Sequence, residues 1–326
     1  MNKGEKEVTI QSGVTLKGTL CFPENLEEKA PAILIISGSG KLDRNGKVNK
    51  KMDLKLYRQL SEYLTSLGFI NLRYDKRGVG ASEGDFLTTG LWDLVDDAQS
   101  AVQFLKNLPE VDSEKVIVLG HSEGCTIGTA AVAKEEHIGG LILLSGAIES
   151  LNEVLKRQRD LATQDIINAK GFQGFLLRLL GAHNKVEKQA QKFIDKVLNS
   201  SKDQIKVNLI KTPAKWMREH FSYNEKVDLA KISCPVLAIT GARDIQANPE
   251  VLKELPLYVK EDAQFYVVEN MGHSCKEVTR TSTMFTAKKD ILAGAELPLH
   301  PELEKLLENW LRLHFINSSS QESVII

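Results

Sequence analysis

The sequence is poor in the features that mark several large classes of protein. It has four cysteines in 326 residues, and none of them lies in the paired C-x-x-C spacing of a metal site or redox pair. Isolated cysteines are typical of a reducing compartment, so we expect a cytoplasmic protein. No apolar run approaches the roughly 18 to 20 residues that span a bilayer, and none follows the charged N-terminus. We therefore expect neither a membrane anchor nor a secretory signal.

An excess of charge of one sign is also lacking. The 42 lysines and arginines are balanced by 43 aspartates and glutamates, which gives a net charge of −1. Such a chain has no global field to hold a polyanion, and we expect no nucleic-acid partner. Aromatic residues make up only 6% of the chain, but 42% is hydrophobic, so a large core can be buried. A disordered or fibrous protein is thereby excluded.

The apolar residues alternate between strand and helix patterns. Runs typical of strands cover residues 8–10, 14–22, 32–36, 69–74, 116–119, 141–144, 235–240 and 264–268. Helical spacing covers 54–67, 93–108, 126–133 and 301–315. Strands that alternate with helices predict an α/β fold, with a mainly parallel central sheet and helices on both faces.

The alternation is interrupted between residues 151 and 226, where helix-forming stretches replace strands. We predict a helical cap over 151–226, inserted into a core made of residues 1–150 and 227–316, with a flexible tail over 317–326. The insertion has 15 lysines and arginines against 8 aspartates and glutamates. Solvated, lysine-rich helix faces would explain this excess, and a cap that attracts an anionic substrate is the alternative hypothesis.

The strongest local motif is Gly120-His121-Ser122-Glu123-Gly124, placed between a predicted strand and a small-residue helix. A G-x-S-x-G sequence in this context predicts a nucleophile elbow, a sharp turn that exposes a serine hydroxyl at the sheet edge. An ordinary glycine-rich turn with a capping serine is the alternative. Cys125, three residues beyond the serine, is interpreted as a packing residue rather than a second nucleophile.

A serine hydroxyl needs a neighbouring histidine as base and an acid that orients the histidine. Of the seven histidines, only His273 follows a predicted sheet strand on a loop. Asp244 follows the preceding strand in the same way, at the carboxyl edge where ligands bind in open α/β sheets. The order Ser122, Asp244, His273 is that of an α/β-hydrolase triad. Glu269 and Asp228 are the substitutes for the acid.

Several motifs together resemble the α/β-hydrolase superfamily, in particular its cytoplasmic bacterial carboxylesterases. The resemblance covers nearly the whole chain and rests on residues 37–40, 74–82, 120–124, 241–244 and 272–273. It implies an oxyanion hole made of the backbone N–H groups of Ser39 and Glu123. Many relatives have His-Gly where this chain has Ser37-Gly38, which leaves the backbone donor but removes any side-chain role of that histidine.

The resemblance implies a serine hydrolase that cleaves small acyl or aryl esters through an acyl-enzyme, with no metal or organic cofactor. A thioesterase or serine peptidase would use the same triad, and a slow-turnover ligand-binding sensor is the alternative from another class. Asp75 and Arg77 are interpreted as an ion pair that braces the site, and the Glu123 carboxylate as favourably placed at a helix N-terminus. Candidate residues for an apolar pocket in the cap are Phe172, Phe175, Trp216, Met217 and Phe221, which would otherwise pack the cap. The sequence does not specify the oligomeric state.

Overall fold

The computed structural model describes residues 4–24, 26, 28–171, 182–280 and 282–316. Its strands are β1 (Glu5–Gln11), β2 (Thr15–Cys21), β3 (Ala30–Ile36), β4 (Lys47–Asn49), β5 (Met52–Asp53), β6 (Ile70–Tyr74), β7 (Val111–His121), β8 (Gly140–Leu144), β9 (Gln204–Val207), β10 (Ile210–Pro213), β11 (Val236–Gly241) and β12 (Ala263–Val268). Eight of them form one sheet in the order β1-β2-β6-β3-β7-β8-β11-β12. The first three strands of that order pair antiparallel, and the remaining neighbours pair parallel.

The α-helices of the described residues are α1 (Leu56–Ser66), α2 (Leu91–Lys106), α3 (Glu123–Val132), α4 (Leu151–Asn168), α5 (Ala182–Leu198), α6 (Ala214–Ser222), α7 (Glu225–Leu229), α8 (Leu255–Tyr258), α9 (Ala287–Ala293) and α10 (Pro301–Leu311). A 3-10 helix covers Pro249–Glu254, and a π-helical turn covers Arg312–Ile316. None of the helices in the described ranges is long and apolar enough to cross a membrane.

Both faces of the sheet are covered, which explains why its central strands are continuous apolar runs. In β3, Leu34 and Ile36 pack into one core cluster, whereas Ile33 and Ile35 pack into the other. The first cluster lies against α2 and α3, and the second against α1 and α10. Side chains alternate across a strand, so a strand between two helical layers has to be apolar at every position. The expected α/β class is confirmed.

The insertion between β8 and β11 carries helices α4, α5 and α6, as expected, but it also contains a β-hairpin. Strands β9 and β10 pair antiparallel, from Gln204 opposite Pro213 to Val207 opposite Ile210. The prediction of an all-helical insertion was therefore wrong for this segment. A small core of Val197, Ala214 and Met217 packs the hairpin and helices together, separately from the two sheet clusters. The predicted tail, 317–326, lies outside the described residues.

Candidate active site

Ser122 lies in a strained turn between β7 and α3. Its backbone has φ 56° and ψ −122°, a conformation rare for a residue with a side chain. The flanking glycines allow this turn to be tight. A Cβ on Gly120 would lie 2.1 Å from the carbonyl oxygen of Gly124, and one on Gly124 would lie 2.2 Å from that of Ile36. The turn has the geometry expected of a nucleophile elbow.

The structure brings the three predicted triad residues into one hydrogen-bonded chain. The Nε2 atom of His273 lies 3.2 Å from the Ser122 hydroxyl oxygen, and its Nδ1 atom lies 2.9 Å from Oδ2 of Asp244. Ser122 follows β7, Asp244 follows β11 and His273 follows β12. These strands are parallel to one another, so their carboxyl ends meet at one edge of the sheet.

Asp244 is held in a fully buried position as an anion. Its Oδ1 atom accepts hydrogen bonds from the backbone N–H groups of Gln246, at 2.8 Å, and Ala247, at 3.0 Å. Burial alone would raise the pKa of this carboxyl, but His273 and the two backbone donors lower it below its usual value. A carboxylate that accepts from Nδ1 keeps the other ring nitrogen of His273 directed toward Ser122.

The two residues expected to form the oxyanion hole line one cavity together with Ser122. Ser39 follows β3 on the neighbouring strand of the sheet, and Glu123 is the first residue of α3. The first N–H groups of a helix have no intrahelical acceptor, which agrees with the expectation that the N–H of Glu123 serves an acceptor outside the helix. Gly38, which precedes Ser39, packs directly on the serine, because a Cβ there would lie 3.0 Å from the Cβ of Ser122.

The side chain of Glu123 is buried rather than solvated at the helix end. One carboxylate oxygen accepts a hydrogen bond from Lys76 Nζ at 2.7 Å, and the other accepts one from the indole N–H of Trp216. The Nε2 atom of His220 lies 3.3 Å from the latter oxygen. Burial would raise the pKa of Glu123, but Lys76 and His220 together hold it well below its usual range. The carboxylate thus links β6, the elbow and α6.

A second buried chain runs from the loop that follows β3, residues 37–40, to the loop of His273; the first of these carries the expected donor Ser39 and is called the oxyanion loop. The N–H of Gly38 donates to the Tyr57 hydroxyl at 2.7 Å, and this hydroxyl lies 3.0 Å from Nδ1 of His121. The Nε2 atom of His121 lies 2.8 Å from the carbonyl oxygen of His273. Burial, with a contribution from His273, lowers the pKa of His121 to about 3, so its ring is neutral. With its proton on Nε2, every donor in the chain meets an acceptor.

Sequence reasoning did not identify Tyr57, Lys76 or the second role of His121. His121 was seen only as part of the elbow motif, and no local pattern distinguishes Tyr57 from any other core residue of an amphipathic helix. The ion pair expected between Asp75 and Arg77 is also absent. Each of them pairs with another residue: Arg77 with Asp97 at 2.5 Å, and Asp75 with Arg44, whose Nε lies 3.5 Å from it. Asp75 also accepts a hydrogen bond from the N–H of Arg44 at 2.7 Å, in the turn that follows the oxyanion loop.

Ser122 lines two adjoining cavities. The inner arm, beneath the insertion, has a volume of about 260 Å³, and the outer arm has about 320 Å³. Both arms share Ser39, Ser122, Gln158, Gln246 and His273. The outer arm is lined mainly by apolar side chains: Leu42, Met52, Leu54, Met284, Ile291 and Leu292. Ser122 therefore lies where the two cavities meet.

The inner arm carries carboxyl groups at its wall. Of its acidic residues, Glu123 pairs with Lys76 and Glu149 pairs with Arg157, but Glu225 has no ion pair within the described part of the chain. Glu225 is 2% exposed and accepts hydrogen bonds from the N–H of Ile148 at 3.1 Å and from two threonine hydroxyls at 3.4 Å. Burial raises its pKa to about 7. No lysine or arginine lies among the described lining residues, so the positive charge of the insertion does not extend to this wall.

Helix α4 is anchored beside the site by Arg157. Its guanidinium forms a bidentate ion pair with Glu149, with both distances 2.7 Å. The same group donates to the carbonyl oxygens of Ile245, at 2.9 Å, and Gln246, at 2.7 Å. These carbonyls belong to the loop that follows Asp244, so α4 and the acid loop are held together.

The candidate residues for an apolar pocket have different outcomes. Trp216 lines the inner arm. Met217 is buried in the small core of the insertion, and Phe221 packs against it. Phe172 and Phe175 lie outside the described residues. Cys125 is fully buried, and burial raises the pKa of its thiol, which agrees with a packing role. Among the described residues, no group of three or more His, Cys, Asp or Glu side chains is arranged to ligate a metal ion.

The chain matches a known protein family over most of its length. Residues 52–276, well over half of the chain, match the sequence model of the family described as serine aminopeptidase, S33. The chain belongs to this family of α/β hydrolases. The matched region of this α/β hydrolase includes Ser122, Asp244 and His273, whereas Ser39 precedes it.

Similar curated proteins include an esterase and a transferase. Esterase EstD of Thermotoga maritima is 25% identical to this α/β hydrolase over 275 residues, which cover 82% of the chain and 59% of EstD. The polyketide transferase GrgF of a Penicillium species is 26% identical over 157 residues, which cover 48% of the chain and 49% of the transferase. The chain thus spans about half to three fifths of the length of these relatives.

Solved structures share the fold over most of their length. An esterase of Pyrococcus furiosus matches with a TM-score of 0.59 at 16% identity, covering 95% of this chain and 91% of its own. The structure of GrgF matches with a TM-score of 0.58 at 18% identity, covering 95% and 98%. Est1E of Butyrivibrio proteoclasticus, solved with ferulic acid bound, matches at 0.57 and 19% identity, covering 88% and 96%. These likenesses show that the α/β-hydrolase fold is shared.

Proposed function

We propose that the protein is a serine hydrolase that cleaves small carboxylic esters through an acyl-enzyme. The observation that carries the proposal is the continuous hydrogen-bonded chain from the Ser122 hydroxyl through His273 to the buried carboxylate of Asp244. In the elbow geometry, the serine oxygen is exposed to both cavities. A nucleophile, a base and an orienting acid in this order are sufficient for acyl transfer.

The proposed reaction has two steps. The Ser122 oxygen attacks the ester carbonyl carbon while Nε2 of His273 takes its proton, and the N–H groups of Ser39 and Glu123 stabilise the oxyanion. The tetrahedral intermediate collapses, and His273 gives the proton to the departing alcohol. His273 then removes a proton from water, whose oxygen attacks the acyl-enzyme carbonyl carbon. This second tetrahedral intermediate collapses, the bond to the Ser122 oxygen breaks, and His273 returns the proton to that oxygen as the acid is released. Asp244 stabilises the imidazolium in both steps.

The shape of the site supports a substrate with two unlike halves joined at the ester. The outer arm offers an apolar wall, and the inner arm combines Trp216 with buried polar groups. EstD is named as an esterase, which supports ester hydrolysis. Est1E binds ferulic acid, so aromatic acyl groups belong among the first substrates to test. We further propose that the insertion, 151–226, is the cap of this site.

Glu225 favours a second candidate, hydrolysis of substrates that carry a free amino group. A buried carboxyl with no cation among the described residues would gain a partner when an ammonium group enters the inner arm. The matched family is described as serine aminopeptidase, which supports the same reading. The two candidates share the triad and differ only in the group that fills the inner arm.

The test compares Ser122→Ala with the wild type on p-nitrophenyl butyrate, methyl ferulate and alanine p-nitroanilide. The proposal predicts a loss of kcat by about 10⁴ to 10⁶ in the variant, since the nucleophile is removed and the binding groups remain. Equal turnover by both proteins would refute it. Efficient cleavage of the anilide, lost in Glu225→Gln while ester cleavage persists, would favour the second candidate over the first.

A further inference from the structure

Lys76 is a buried cation placed between the two halves of the proposed oxyanion hole. Its side chain is only 3% exposed, although it lies two residues beyond the end of β6, at the carboxyl edge of the sheet. The ammonium group lies 2.7 Å from the carbonyl oxygen of Gly38 and 2.7 Å from Oε2 of Glu123. Gly38 precedes one proposed oxyanion donor, and Glu123 supplies the other. A single nitrogen therefore contacts both segments from which the donors come.

The contact of Lys76 with the carbonyl oxygen of Gly38 fixes the orientation of the Gly38–Ser39 peptide. The carbonyl of Gly38 and the N–H of Ser39 belong to the same peptide unit, which is planar and places them on opposite sides. Holding this carbonyl toward Lys76 therefore directs the Ser39 N–H away from Lys76. The N–H of Gly38 itself is held separately by the Tyr57 hydroxyl at 2.7 Å. Tyr57 and Lys76 thus form hydrogen bonds with two successive peptide units, Ser37–Gly38 and Gly38–Ser39.

We propose that Lys76 is a positioning residue for the oxyanion hole, which holds the Gly38–Ser39 peptide with its N–H directed at the substrate oxyanion. This role rests on the proposed hydrolase function. A hydrogen bond from a cation to the carbonyl also polarises the peptide, which makes its N–H a stronger donor. Lys76 touches neither substrate nor Ser122; it acts through the backbone of Ser39.

The partner of Lys76 explains how a charge can be kept in this buried place. Glu123 provides the countercharge, and its second oxygen is fixed by the indole N–H of Trp216 and by His220. Because the Glu123 carboxylate belongs to the residue directly after the nucleophile, the cation keeps a fixed position relative to the elbow. A neutral or shorter side chain at position 76 would lose both the polarisation and this reference point.

A purely structural ion pair would predict a different behaviour. It would affect the fraction of folded protein, but it would not distinguish a charged tetrahedral adduct from an uncharged ketone. Two inhibitors, 1,1,1-trifluorohexan-2-one and hexan-2-one, make this distinction. The Ser122 oxygen adds to the carbonyl carbon of the fluorinated ketone, its proton passes to His273, and an oxyanion forms, whereas the plain ketone binds as an uncharged carbonyl. Inhibition constants for both, with kcat on p-nitrophenyl butyrate, are the measurements.

For Lys76→Met we expect kcat to fall about 10- to 100-fold, somewhat less than the roughly 10² to 10³ for complete loss of one oxyanion donor. Affinity for the trifluoroketone should fall by a similar factor, and affinity for hexan-2-one should change less than about twofold, since only the charged adduct uses the donor. An unchanged ratio of the two affinities in folded Lys76→Met overturns the proposal.

Three further variants make the result unambiguous. Lys106→Met removes another partly buried ion pair, with Glu135 at 3.7 Å, and should leave the ratio of affinities unchanged. If Lys76→Met does not fold, the double variant Lys76→Met/Glu123→Gln removes both charges of the buried pair, and Glu123→Gln alone is its reference. Relative to that reference, the double variant should lose affinity for the trifluoroketone but not for hexan-2-one. If the ratio of the two affinities is equal in the two variants, the proposed role of Lys76 is refuted. If Ser122→Ala is as active as wild type, the proposed function fails and the role of Lys76 fails with it. If only Ser122→Ala is inactive and Lys76→Met is normal, only the role of Lys76 fails.

Discussion

The Tyr57 hydroxyl supports a sharp prediction, because it serves two buried partners that have no substitute. It accepts from the N–H of Gly38 at 2.7 Å and lies 3.0 Å from Nδ1 of His121. Tyr57 is 1% exposed, so water cannot replace the hydroxyl without rearrangement. Tyr57→Phe keeps the ring and its edge contact with the His121 ring, and removes only the oxygen. The substitution therefore isolates the hydrogen bonds from the packing.

The magnitude follows from the two groups left unpaired. Each buried polar group without a partner costs about 1 to 3 kcal/mol, so Tyr57→Phe should lower the free energy of unfolding by about 2 to 6 kcal/mol. The two groups left unpaired are the N–H of Gly38, which precedes Ser39, and Nδ1 of His121, whose ring contacts the carbonyl oxygen of His273. A displacement of about 1 Å there can cost 10²-fold in rate, so we expect kcat to fall about 10- to 100-fold.

Tyr63→Phe is the matched control. The Tyr63 hydroxyl makes a single hydrogen bond, to the carbonyl oxygen of Glu304 at 2.6 Å, and Tyr63 is only partly buried. Loss of this bond should cost about 1 kcal/mol and leave kcat unchanged. Urea unfolding followed by far-UV circular dichroism gives the stabilities, and p-nitrophenyl butyrate gives kcat. If the two variants lose equal stability, the Tyr57 hydrogen bonds do not stabilise the fold more than an ordinary hydrogen bond does. If Tyr57→Phe keeps the wild-type kcat, they do not position the reacting groups.

Three other substitutions test separate parts of the site. Asp244→Asn should lower kcat about 10⁴-fold, because an amide stabilises the wrong tautomer of His273; a loss below tenfold on p-nitrophenyl butyrate would contradict this. The pKa of Glu225 is raised to about 7, so the folded state retains a proton that the unfolded chain releases from about pH 4.5 upward, and stability falls as pH rises through that window. Glu225→Gln should therefore gain up to about 3 kcal/mol over wild type between pH 4 and pH 8 in urea unfolding, and a pH-independent difference would count against it. Arg157→Met removes the ion pair of Glu149 and should lower the free energy of unfolding by about 3 kcal/mol, the low end for a buried pair, because Arg157 is 21% exposed. It should also lower kcat, because Arg157 holds the loop that follows Asp244. An unchanged urea-unfolding curve together with an unchanged kcat would contradict this prediction.

The fold class and the positions of Ser122, Asp244 and His273 could be predicted because local signals identify the ends of strands. Each of these residues follows an apolar strand pattern, and parallel strands bring such ends to one edge. The structure places the three side chains in contact, while their catalytic role stays a prediction. The elbow is the most specific of these signals, since its two glycines meet backbone oxygens where a Cβ has no room.

The β9–β10 hairpin could not be predicted because its turn lacks the usual residues. Asn208 and Leu209 connect the strands, and both have positive φ, at 48° and 67°. A two-residue turn of this kind favours glycine at its second position, so Leu209 gives no turn signal. The strands are also only four residues long and contain lysines. Tyr57, Lys76 and Glu225 were missed for a different reason, since their partners lie far away in the sequence and no spacing encodes those contacts.

The two variable residues of the elbow motif are the ones that hold the oxyanion loop. His121, before the serine, reaches the N–H of Gly38 through Tyr57, and Glu123, after the serine, reaches the carbonyl of Gly38 through Lys76. Ser122 and the oxyanion loop follow different strands, so a shift between β7 and β3 would change the distance from the Ser122 oxygen to the N–H of Ser39, its proposed oxyanion donor. Bridges on both sides of the serine oppose such a shift in either direction. Each of these contacts passes through a side chain of another element, Tyr57 or Lys76, so the motif alone cannot reveal it. The residues at the two x positions of G-x-S-x-G therefore make specific contacts in this chain.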